Sequence, residues 1–166
     1  MGQQTSVIDC GGSADVAANM QSALNKSESK NGLLSGSAQE DYMPIHIDVD
    51  VALPSVVICR FKAPLYYGNA EFFMDEVLSI VRSSPLRLRW FVLRFDSINA
   101  VDYIGAKMLT ELADRLQKEQ VALVFAELST GLRRFLSDSD VLKAVGLDKV
   151  FASVDAARAA FKPAAR

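Results

Sequence analysis

Trp90-Phe91-Val92-Leu93-Arg94-Phe95, then Val101-Asp102-Tyr103-Ile104-Gly105 opening an amphipathic run to about Glu119, then Val121-Ala122-Leu123-Val124-Phe125-Ala126: this stretch decides the fold. The first run is almost wholly apolar, the composition of a central strand covered on both faces. In the middle run Ile104, Met108, Leu112 and Leu116 recur at helical spacing. The third run is the next strand. Strand, helix and strand in succession imply a parallel crossover within an α/β sheet.

Working upstream, Ile45, Ile47, Val49 and Val51 alternate with polar residues, as in a half-buried strand. Leu53-Pro54-Ser55 turns the chain, and Val56–Phe61 is the expected hairpin partner. Asn69 is placed to cap a helix reaching Arg82, with Phe73, Val77, Ile80 and Val81 on one face and Ser84-Pro85 at its end. Downstream, Thr130 to Ser137 reads as a helix bearing Leu132 and Leu136, followed by a shorter turn through Val145 and Gly146. Val150-Phe151 reads as a short terminal strand. Ser153 or Asp155 caps a last helix to Phe161, which Pro163 terminates. The predicted order is β-β-α-β-α-β-α-β-α: an α/β sandwich with a mixed, mostly parallel sheet and an antiparallel edge, occupying residues 42–166. Residues 1–41 are rich in Ser, Gly, Asn and Gln and contain no aromatic residue. They read as a polar leader or linker, partly disordered, with one short helix capped by Ser13.

Composition removes several classes of function. Lys and Arg number 18 against 20 Asp and Glu, a net charge of −2, so the basic excess that tracks a nucleic-acid backbone is missing. No apolar run approaches the roughly 20 residues that cross a bilayer, and no direct membrane span is expected. Two thiols, Cys10 and Cys59, are too few for a disulfide framework, and a single histidine, His46, leaves no zinc motif. A nucleophile–base pair cannot be assembled, no GxxxxGK[ST] loop is present, and no metal site or catalytic residue is expected.

Open α/β sheets bind ligands at the carboxyl ends of their strands. That edge should contain the loop from Asp96 to Asn99, including Ser97, the turn Asp102-Tyr103-Ile104-Gly105, and Glu127 to Thr130. Asp102 has two readings. It is an N-cap worth about 1 kcal/mol, or part of a recognition or anion-binding surface at a helix start. Thr130 and Arg133 offer a phosphate contact beside another helix start, or simple surface solvation. Arg82, Arg87 and Arg89 form a basic cluster facing solvent or anionic headgroups. Tyr66, Tyr67, Phe72 and Phe73 read as fillers of the core.

Ala63-Pro64-Leu65-Tyr66-Tyr67-Gly68-Asn69-Ala70-Glu71-Phe72-Phe73 resembles a segment of the cytoplasmic STAS domain found in SulP anion transporters, the sulfate permeases and their eukaryotic relatives. Phe91 to Gly105 resembles the STAS strand, loop and "D-S-x-G" turn, and the resemblance extends over roughly residues 43–161. More distantly it takes in the anti-sigma-factor antagonists. In those antagonists a phosphorylatable serine follows the aspartate, where this chain has Tyr103. Arg94 stands where the family usually has an acidic residue, and the long insertion of animal members is absent, as in a bacterial-type version. The resemblance implies a non-catalytic regulatory and interaction module at the inner, cytoplasmic face of the membrane, without a resident cofactor. Its implied partners are the transmembrane domain of the same transporter and cytoplasmic proteins, with weak nucleotide binding and a homodimer as further candidates. A free-standing antagonist-like protein that binds a kinase-type partner is the alternative, so the chain is either an excised fragment or a protein by itself.

Overall fold

The computed structural model describes residues 47–162. The Ser13 helix, the leader, His46 and Pro163 lie outside them.

Two strands open the fold, β1 (Ile47–Leu53) and β2 (Val56–Phe61), paired antiparallel as the alternation predicted. Between them, Pro54 fixes φ at the first turn position and Ser55 takes φ +77°, the positive value that a type II turn requires at its second. The remaining elements are α1 (Ala70–Ser83), β3 (Trp90–Arg94), α2 (Tyr103–Lys118), β4 (Ala122–Ala126), α3 (Thr130–Asp138), α4 (Val141–Val145), a 3-10 turn at Leu147–Lys149, β5 (Val150–Phe151) and α5 (Val154–Ala160). The strand order in the sheet is β1-β2-β3-β4-β5, with every pair after the first parallel.

That monotonic order fixes the layers. Crossovers between parallel strands are right-handed, so a sheet that always adds its next strand on the same side drops each connecting helix on the same face. Accordingly α1, α2, α3 and α4 share one core with the sheet residues Val57, Cys59, Phe61, Phe91, Leu93, Leu123 and Phe125. Within it Phe61 and Phe73 meet edge to face at 4.7 Å, as do Phe95 and Phe125 at 4.8 Å. The opposite face carries the alternate residues Val56, Ile58, Val92, Val124 and Ala126, and α5 packs there through Ala157 and the following Phe161. Trp90 clamps it, its ring 5.2 Å from Phe161 and 5.9 Å from Phe151. β3 is therefore covered on both faces, as its apolar composition required.

Cys59 is fully buried in the larger core. Burial, with the Asp48 charge second, pushes its thiol pKa up, which removes the reactive thiolate. In a Cys10→Ser background, native-state alkylation of Cys59 is expected to run more than about 100-fold slower than that of an exposed thiol. Alkylation at a free-thiol rate would contradict the packing.

Candidate functional site

The carboxyl edge of the sheet holds two separate constructions. One joins the loop before α1 to the start of α2. Leu65, fully buried, donates its N–H to Ala100 O at 2.9 Å and accepts from the N–H of Asp102 at 3.0 Å, forming a parallel bridge with Val101. The Asp102 carboxylate works in two directions. Oδ1 accepts from the N–H of Gly105 at 2.7 Å, capping α2, and Oδ2 accepts from the N–H of Tyr67 at 3.0 Å. Gly105 is glycine for a reason of space: a Cβ there would stand 2.6 Å from the carbonyl oxygen of Leu65.

The loop that this turn grips is ordered from within by Asn69, which is only 3% exposed. Its Oδ1 accepts from the N–H of Tyr66 at 3.0 Å and its Nδ2 donates to Pro64 O at 2.7 Å. Asn69 sits at the N-cap position of α1 as predicted, but its side chain does not cap the helix. Both its polar groups are spent on the loop before it, a local side-chain bonding typical of asparagine.

The rings carried by this construction correct the expectation that Tyr66 and Tyr67 fill the core. Tyr66 is 43% exposed and Tyr67 76%, packed edge to face at 5.6 Å, while Phe73 is buried and Phe72 half-buried against the core. Tyr103 and Ile104, in the first turn of α2, are 73% and 44% exposed. From Tyr103 a cleft of about 370 Å³ runs along α2 past Lys107, Thr110 and Glu111 to Asp114 and Ser139. The result is an aromatic, solvent-facing surface on a hydrogen-bonded frame.

The second construction is an ion-pair chain on the sheet face that α5 occupies. Parallel register sets Arg60 of β2 beside Arg94 of β3, and like charges so placed repel. Asp96 lies between them, 2.7 Å from Arg60 and 3.0 Å from Arg94, and Glu127 pairs with Arg94 at 2.9 Å. Glu127 itself sits at φ +63°. Ser97 belongs here rather than to the turn, accepting from Nε of Arg60 at 2.9 Å. The cleft of about 190 Å³ beside these arginines also contains Asp48, Asp50 and Arg158. Its cations are therefore already matched by carboxylates.

Of the sequence candidates, Asp102, Tyr103, Ile104 and Gly105 lie together with the 64–69 loop. Asn99 is exposed and makes no side-chain hydrogen bond among the described residues. Thr130 and Arg133 are exposed on α3, whose cap is Ser129, accepting from the N–H of Leu132 at 3.3 Å. No hydrogen bond or ion pair among the described residues joins them to the Asp102 turn. The basic cluster is divided among internal partners: Arg82 pairs with Glu119 at 3.1 Å, Arg87 donates to Gln120, and Arg89 donates to Lys162 O at 3.1 Å and lies over the Phe161 ring. Sequence reading missed Leu65, the loop-ordering bonds of Asn69 and the amide of Tyr67, although the quoted 63–73 segment contained all three.

Among the described residues no group of three or more His, Cys, Asp or Glu could hold a metal ion, and no helix is long and apolar enough to cross a membrane. Among the described residues the strand order also does not reverse, so those strands form no switch-point crevice of the kind nucleotide-binding sheets use. A five-stranded sheet in sequential order, four helices on one face with α5 on the other, and a stitched turn at the carboxyl edge define a small α/β domain. Residues 48–157 match the model of the STAS domain, and the chain belongs to that family. A probable sulfate transporter of Mycobacterium tuberculosis is 31% identical over 110 residues, which are 66% of this chain and 20% of that protein. The chain thus spans about a fifth of the length of that relative. The crystal structure of a sulfate transporter family protein from Wolinella succinogenes superposes with a TM-score of 0.58 at 25% identity, covering 66% of this chain and 87% of that one. The unphosphorylated anti-sigma-factor antagonist SpoIIAA shares the fold, with a TM-score of 0.55 at 11% identity over 70% of this chain and all of that one (100%).

Proposed function

We propose that this STAS domain is a non-catalytic regulatory and protein-interaction module of a SulP-type inorganic-anion transporter, held at the cytoplasmic face of the membrane. Residues 42–166 form the module and residues 1–41 a polar leader. The observation that carries the reading is the surface of Tyr66, Tyr67, Tyr103 and Ile104. Large apolar side chains are held in water by a hydrogen-bonded frame, built from the segments that resemble SulP domains. Aromatic residues so presented are the usual anchors of protein interfaces. The partner is the membrane part of the same transporter, together with cytoplasmic proteins that reach it. The antagonist reading is less well supported, because Tyr103 stands where a serine would be phosphorylated.

The test uses the full-length transporter that carries this domain. A Tyr67→Ala/Tyr103→Ala double substitution is expected to lower anion uptake or membrane abundance by about fivefold or more, the loss from one interface anchor worth about 1 kcal/mol. Both residues are exposed, so the melting temperature of the domain should not move. Unchanged uptake with unchanged abundance would refute the reading.

A further inference from the structure

We infer that Asp102 is a positioning residue, a clasp that makes the two halves of the tyrosine surface one body, rather than a group that touches the partner. This rests on reading that surface as a docking site. Tyr66 and Tyr67 come from the loop before α1, while Tyr103 and Ile104 come from the start of α2. Two kinds of tie join these segments. The backbone bridge at Leu65 and Val101 is buried and independent of any side chain. Farther out, at the loop tip itself, the tie among the described residues is the hydrogen bond from Tyr67 N–H to Asp102 Oδ2 at 3.0 Å. Each carboxylate oxygen already accepts a backbone N–H, so the group is engaged within the fold before any partner arrives.

The chemistry separates capping from clasping. An N-cap needs one acceptor, and asparagine is as good a cap as aspartate. Here the two N–H groups sit on different oxygens, Gly105 on Oδ1 and Tyr67 on Oδ2, so the clasp needs an acceptor at both positions, as a carboxylate provides. The asparagine amide has one oxygen, and its NH2 group would face an N–H donor. Asp102→Asn should therefore keep the helix start and release the loop tip.

Amide hydrogen exchange on the 166-residue chain tests this without any partner. In Asp102→Asn the Tyr67 amide is expected to exchange more than about tenfold faster, while the Gly105 amide stays within about threefold of the parent. In Asp102→Ala both amides should accelerate. An unchanged Tyr67 amide in Asp102→Asn would overturn the clasp, and so would equal acceleration of both amides, which would reduce Asp102 to a cap. A second measurement addresses the coupling. Tyr103→Ala should shift the backbone resonances of residues 66–68 in the parent and leave them still in the Asp102→Asn background; a shift of equal size in both would overturn the inference. Failure of the docking reading shows instead in transporter uptake, which none of these measurements involves.

Discussion

Asn69→Ala is expected to lower the unfolding free energy by about 1–3 kcal/mol, since it removes two part-buried hydrogen bonds worth about 0.5–1.5 kcal/mol each. The side chain is 3% exposed, and its two bonds hold the N–H of Tyr66 and the carbonyl of Pro64. Domains of this size are stable by about 5–15 kcal/mol, so the loss is a large fraction of the whole. Asn69→Asp sharpens the test. Aspartate keeps the acceptor for Tyr66 but sets a carboxylate against the Pro64 carbonyl, where Nδ2 now donates at 2.7 Å. At neutral pH that variant should be no more stable than the alanine. It should recover as pH falls, because the protonated acid regains a donor, so stability is lost as pH rises through the raised carboxyl pKa. Denaturant unfolding at two pH values checks both signs. A change under about 0.5 kcal/mol in Asn69→Ala would show that the loop does not depend on this side chain.

Gly105→Ala and Gly131→Ala should move stability in opposite directions. Both glycines lie in helices, where alanine is intrinsically favoured by about 1 kcal/mol. At Gly131 nothing lies within 4 Å of the added carbon, so that preference is realised as a gain of up to about 1 kcal/mol. At Gly105 the new Cβ meets Leu65 O at 2.6 Å and Leu65 C at 3.0 Å. Both are backbone atoms of a residue buried on all sides, which cannot swing away as a side-chain tip would. Relief requires the α2 start and the backbone at Leu65 to part, at a net cost of about 1–3 kcal/mol. Thermal unfolding of the two variants side by side is the check, and a stabilised Gly105→Ala would disprove the close approach.

The elements were legible in the sequence because each depends on neighbours along the chain. Val56–Phe61 and Trp90–Arg94 follow from apolar runs, α2 from its spaced Ile104, Met108, Leu112 and Leu116, and Asp102 and Ser153 from cap chemistry that the hydrogen bonds bear out. Asn69 shows where this stops. A cap and a loop staple require the same residue at the same place, and the choice depends on where Pro64 and Tyr66 lie in space. Tyr66 and Tyr67 were misplaced because aromatic composition alone cannot distinguish a buried ring from an exposed one. The chain Arg60, Asp96, Arg94, Glu127 was invisible for a third reason: its members meet only through inter-strand register, which no local pattern encodes. α3 begins at Thr130 as read, and Ser129 just before it accepts from the N–H of Leu132.

The sheet order described above also bears on how the chain is made. Strands enter in the sequence in which the ribosome delivers them, each one beside its predecessor. No pair already zipped has to reopen to admit a later arrival, and each new ladder closes over a single connecting segment rather than over the whole domain. Such a domain can accrete during synthesis, one strand and one helix at a time. The last addition, β5, has only two residues, so growth ends on an edge too short to template a neighbouring molecule.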